Sequence, residues 1–114
     1  MQTVAQNDFF TSTNTDLTIS SFNCVANGVC LSIYLNVTYT GADLRGVQIG
    51  TIASAYVPKA ASVISLLARD VDTITHTSYA VVITNTNMLR FAAVALDGQY
   101  PSGHRIEVSG FYMI

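Results

Sequence analysis

The stretch VQIGTIASAYVPKAASVISLL, residues 47–67, reads as strand, break, strand. Val47, Ile49 and Thr51 alternate with Gln48 and Gly50, the period-two pattern of a half-buried strand. The segment Ala53-Ser54-Ala55-Tyr56-Val57-Pro58 then interrupts it. Pro58 has no N–H to give a ladder and pushes Val57 towards an extended conformation, so the chain here crosses from one element to the next. Tyr56 brings a bulky apolar body and one hydroxyl to that crossing, which suits a plug in a tight connection. Beyond it Val63, Ile64, Leu66 and Leu67 are apolar on both parities, as expected of a strand buried on both sides.

Working outward, the chain on each side of this stretch also reads as strands. Residues 1–14 are polar and rich in Thr, Asn and Gln, interrupted by the pair Phe9-Phe10, and read as an arm or linker before a domain at 15–114. Leu17 and Ile19 begin a strand whose parity changes before Phe22, which calls for a bulge near Ser20-Ser21. Asn27-Gly28 is the strongest hairpin signal, with both residues suited to a type I′ turn. After it Val29, Leu31, Ile33, Leu35, Val37 and Tyr39 share the face expected to meet the core. A two-residue turn pairs Cys24 with Leu31 and Phe22 with Ile33. It sends Cys24 and Cys30 to opposite faces, so two free thiols are expected, with Cys24 buried.

Thr40 to Arg45 reads as a polar turn, and Arg69 to Ser78 as a loop or an exposed edge strand. Strands are expected at Tyr79–Thr84, Met88–Leu96 and His104–Ile114, with a turn at Asn85–Asn87 and a loop at 97–103. No segment sustains helical periodicity over three turns. The pattern predicts an all-β, antiparallel sandwich or jelly-roll-like domain of seven or eight strands.

Composition adds a constraint. Of 114 residues, 50% are hydrophobic and only 11% charged, against about 25% charged in an average soluble domain. One small domain has difficulty hiding that much apolar surface. The longest apolar run, Phe91 to Leu96, falls far short of the ~18 residues of a membrane-spanning helix. The N-terminus lacks the basic start and apolar stretch of a signal peptide. Self-association is therefore the expectation. The five basic residues are scattered, leaving no basic patch for nucleic acid and no amphipathic basic helix for membrane insertion.

Candidate chemistry is sparse. His76 and His104 stand far apart without the close partners of a metal site, although His104 could meet its symmetry mates on a threefold axis. Asp70, Asp72 and Asp97 could supply paired carboxylates for glycoside hydrolysis, but nothing fixes their separation. No catalytic or cofactor motif occurs, so a non-enzyme without cofactors is expected. Asn36-Val37-Thr38 matches a glycosylation acceptor in mid-strand. Polar loops with aromatic and amide groups suit sugars. Asp72, His76, Asn85, Asn87, Asp97 and Tyr100 are the ligand-binding candidates.

Two motifs resemble a known family. Ile52-Ala53-Ser54-Ala55-Tyr56-Val57-Pro58 is similar to the crossing "LPxGYRP" of the C-terminal head domains of bacteriophage tail-fibre and baseplate receptor-binding proteins. Ala53, Ala55 and Val57 replace the family's preferred proline, glycine and arginine. The strand Ile106-Glu107-Val108-Ser109-Gly110-Phe111-Tyr112-Met113-Ile114 is similar to the family's final "IxVSGxYxI". Residues 15–114 also follow its order of elements. The resemblance implies a compact β-sandwich head, a homotrimer at the virion tail tip, assembled in the host cytoplasm and joined to upstream fibre or baseplate segments. It implies adhesion to a host cell-surface saccharide, with no binding residue carried over. A purely structural trimerisation or capping module is the alternative. Within such a trimer Phe111 and Met113 are the expected interface, because the opposite face of their strand already supplies core residues.

Overall fold

The computed structural model describes residues 2–41, 43–59, 64–72, 78–84, 86–91 and 103–114, with side chains from Leu66 and Val81 onward in the two strands that start at 64 and 78. Among the described residues nine strands form, all paired antiparallel: β1 (Gln2–Thr3), β2 (Phe10–Thr11), β3 (Leu17–Ala26), β4 (Cys30–Tyr39), β5 (Gln48–Ile52), β6 (Ile64–Asp70), β7 (Ser78–Ile83), β8 (Met88–Phe91) and β9 (Arg105–Met113). One short helix, α1 (Gln6–Phe9), and a 3-10 turn at Ser54–Tyr56 complete the described elements. The fold is all-β. The strands belong to a single sheet, in the order β1-β3-β4-β9-β6-β7-β8-β5-β2.

That order explains why the sheet curls. Its two outermost strands, β1 and β2, are neighbours in sequence. Laid flat, they would stand about 38 Å apart at ~4.8 Å per strand. The chain from Thr3 to Phe10 reaches at most ~25 Å, less with a helical turn inside it. The sheet must therefore bend round until its edges lie close, with a shared core inside. Segment 1–14, expected as an arm, is woven into both edges over its described part. Val4 N–H donates to the Cys24 carbonyl (2.9 Å), and Ala53 N–H donates to the Phe9 carbonyl (2.8 Å). Val4, Phe9 and Phe10 are buried. The Phe10 ring stacks on Phe22 with centroids 5.9 Å apart, and Phe9 packs edge-on against Phe10 at 5.5 Å. Gly50 makes room for this cluster, since a Cβ there would overlap the Phe10 ring.

The β3–β4 hairpin keeps the expected faces except at Val29, expected in the core but exposed in the turn, and it does not keep the expected register. Leu31, Ile33, Leu35 and Val37 are buried, and the bulge falls between Ile19 and Ser21. Cys24, however, faces Ile33 and Phe22 faces Leu35, a slip of two residues from the pairing read in the sequence. The Asn27 side chain is the cause. Its Oδ1 accepts the N–H groups of Val29 (3.0 Å) and Cys30 (2.8 Å), so the turn is centred on Gly28-Val29 rather than Asn27-Gly28. Only Gly28 in this turn has positive φ, +88°, so the turn is not type I′. A slip of two preserves parity. Cys24 is accordingly buried, Cys30 is half-buried, and both are free.

The crossing after β5 is closed from the far end of the chain. The Tyr112 hydroxyl donates to the Tyr56 carbonyl oxygen (2.6 Å), while the Tyr56 ring packs on Phe9 at 6.3 Å. Strand β6 is not buried on both sides. Leu66 and Ala68 face the core, and Leu67 is 63% exposed. The start of the expected polar loop, Arg69-Asp70, lies inside β6, between β9 and β7 rather than at an edge.

Candidate functional site

Strand β9 runs between β4 and β6, and its alternation divides core from surface. Ile106, Val108 and Tyr112 point inward and are buried. Arg105, Glu107, Ser109, Phe111 and Met113 take the outer parity. Phe111 is 74% exposed and Met113 51%. Phe111 lies opposite Ser32 of β4, Met113 opposite Cys30, and Ser109 opposite Leu67 of β6. Leu67 is thus diagonal to Phe111, within reach of a large side chain. Val29, exposed in the adjoining turn, accepts the Ile114 N–H through its carbonyl (2.9 Å). These four are the exposed large apolar side chains among the described residues, and Phe111, Met113 and Leu67 share the outer face.

The other end of the same strands is charged. Asp70 continues the inward parity of Leu66 and Ala68 and is fully buried. Its Oδ1 accepts the Asp72 N–H (2.8 Å), and its Oδ2 lies 2.9 Å from His104 Nδ1. Asp72 takes the Arg105 N–H (2.6 Å) on Oδ2 and the Arg105 Nη2 (2.9 Å) on Oδ1. Hydrogen bonding from the Arg105 guanidinium holds the Asp72 carboxyl below its ordinary range, and Asp72 raises Arg105 in return. Glu107 accepts the Tyr34 hydroxyl (3.1 Å) and stands 3.6 Å from Arg69. Every carboxylate here already has an internal partner, an arrangement that ties the start of β9 to the end of β6.

Of the residues expected to bind ligand, Asp72 follows β6 and is committed to Arg105. Asn87 lies in the β7–β8 turn at φ +64°, with its carbonyl accepting the Ile52 N–H (2.9 Å). Because β6 and β7 run antiparallel, these two residues sit at opposite ends of the sheet and form no common site. His76, Asn85, Asp97 and Tyr100 lie outside the described residues. Asn36, the possible glycosylation acceptor, is half-buried in mid-strand between Ser21 and Glu107, with its Oδ1 enclosed. Among the described residues no group of three or more His, Cys, Asp or Glu is placed to hold a metal ion.

The sequence reading had not paired Asp70 with His104. The signal in the sequence is the parity Leu66-Ala68-Asp70, which continues the core face of β6 to Asp70, a residue expected instead in a loop or exposed edge strand. Nothing local pointed to His104, which is 34 residues away. No family model matches this chain, and no curated protein matches it either.

Proposed function

We propose that this chain is the non-catalytic head of a bacteriophage tail appendage, working as a homotrimer that adheres to a host cell-surface saccharide. The observation that carries the reading is the outer face of β9 and β6. Phe111, Met113 and Leu67 stand in water on one side of a sheet whose other side already fills the core. Monomeric soluble domains avoid such contiguous patches, and each of these side chains contributes about 1.5–3 kcal/mol when fully buried. A neighbouring copy of this chain is the simplest cover, and the motifs at 52–58 and 106–114 suggest three copies around one axis. The curled all-β sheet is compatible with the jelly-roll-like head those motifs imply.

Light scattering on the purified chain tests the assembly. The expected mass is three times the 12.2 kDa of one chain; a monomer at micromolar concentration defeats the reading. Binding of the trimer to host cells, and its loss after the cell-surface polysaccharide is stripped, tests adhesion. A stable trimer that binds no host surface favours a structural capping module.

A further inference from the structure

We infer that a neutral saccharide binds in the cleft formed by the N-terminal segment, at the edge where β2 meets β5. The inference deepens the adhesive reading and rests on it. The cleft encloses about 270 Å³ and is lined by Gln6, Asn7, Phe10, Thr11 and Ser12. That volume is at the small end of the ~300–1,000 Å³ typical of small-ligand sites, and suits one sugar ring. Its lining carries no charge and offers two amides and two hydroxyls over one aromatic ring. None of these four polar side chains hydrogen-bonds elsewhere in the protein, unlike the charged end of β9, where the groups are committed to one another. Amides and hydroxyls both donate and accept, as the hydroxyls of an uncharged sugar require. The Phe10 ring, held against Phe22 and almost wholly buried, closes the bottom of the cleft, so the amides and hydroxyls supply its contact surface.

The test is an NMR titration of the full chain with glucose, galactose and N-acetylglucosamine, short oligosaccharides of each, purified host polysaccharide, and sialic acid as the anionic control. Neutral sugars are expected to shift the backbone amides of Gln6, Asn7, Thr11 and Ser12. The double variant Asn7→Ala/Ser12→Ala is expected to weaken binding about tenfold with mass and melting temperature unchanged, since Asn7 and Ser12 are exposed and make no internal bonds. Binding whose shifts fall elsewhere and ignore the double variant overturns the cleft and leaves the adhesive reading standing. Preference for sialic acid overturns the neutral class. A trimer that responds to no saccharide, host polysaccharide included, overturns both.

Discussion

Arg105 and Glu107 stand at one end of the outer face of β9, and Phe111 and Met113 at the other. The inner face buries Ile106, Val108 and Tyr112 along the same length, so the change from Arg105 to Met113 belongs to the outer face. At the charged end each group finds its partner within the chain: Arg105 with Asp72, Glu107 with Tyr34 and Arg69, His104 with Asp70. At the apolar end Phe111, Met113 and Leu67 remain exposed. One end is satisfied by folding, whereas the other is satisfied, on the proposed reading, by association. Stability and assembly should therefore separate along a single strand.

The largest expected effect is on assembly. Phe111→Asp or Met113→Asp places a charge in the middle of the proposed contact, where burying it unpaired costs several kcal/mol. The trimer should fall to a monomer of one third the mass. Because both side chains are exposed in the single chain, the monomer's own fold should survive. Chromatography with light scattering reads the mass, and circular dichroism reads the fold. Unchanged mass in both variants would place the contact elsewhere.

Next in size is His104→Ala, at the opposite end. It leaves the buried Asp70 carboxylate with only the Asp72 N–H. Removing one partner of a fully buried pair costs about 3–5 kcal/mol. The His104 side chain is 32% exposed, so water screens part of that and about 2–3 kcal/mol is expected, measured by urea unfolding. The mass of the folded assembly should not change. If His104→Ala dissociates the trimer while Phe111→Asp spares it, the contrast between the two ends is inverted.

What the sequence disclosed follows from the range of each interaction. Alternation of Leu31, Ile33, Leu35 and Val37 is local, and it marked the core face correctly. The parity change from Ile19 to Phe22 marked the bulge. The Asn27-Gly28 pair located the turn but not its centre, because one side-chain oxygen capping two N–H groups outweighed the dipeptide's preference. Leu67 was misread as buried, since an apolar outer parity is equally consistent with a strand covered on both sides and with one that presents a patch. The roles of Phe9, Phe10 and the Asp70–His104 pair depend on which strands become neighbours. A polar run of Thr, Asn and Gln around two phenylalanines does not reveal that its two flanks will occupy opposite edges of one sheet.

Gly50→Ala probes that closure, with a smaller effect. The added methyl overlaps the Phe10 ring and approaches the Thr11 carbonyl oxygen. Phe10 is wedged between Phe9 and Phe22 and cannot swing freely. Overpacking of this kind typically costs 1–3 kcal/mol, and about 1–2 kcal/mol is expected here. Hydrogen exchange should quicken first at β2 and at the β5 amides beside it, before any change in β4 or β9. Uniform quickening across the sheet would mean that the strap is no weaker than the rest.

The smallest effect compares the inner and outer faces through the two thiols. Burial pushes the Cys24 thiol from 9.0 up to about 11. In the unfolded chain that thiol ionises as pH passes 9, while in the folded chain it keeps its proton until about 11. The folded state therefore holds the proton more tightly, and this contribution to stability is fully present below pH 9 and lost as pH rises through 11. Tyr112, whose hydroxyl is also raised by burial, adds a loss of the same sign starting near its ordinary value of 10.0. Cys24→Ala should flatten the fall in stability between pH 9 and 10, the interval that belongs to the thiol alone; an equal slope in the variant would mean that Cys24 ionises as easily folded as unfolded. Cys30 gives the outer half of the comparison. It lies opposite Met113, on the face proposed to be covered. A thiol reagent should modify Cys30 faster in the Phe111→Asp monomer than in the trimer, and should reach Cys24 in neither until the chain unfolds. Equal rates at Cys30 in monomer and trimer would leave the apolar end of β9 uncovered, and the exposed Phe111 would then need a partner other than a copy of itself.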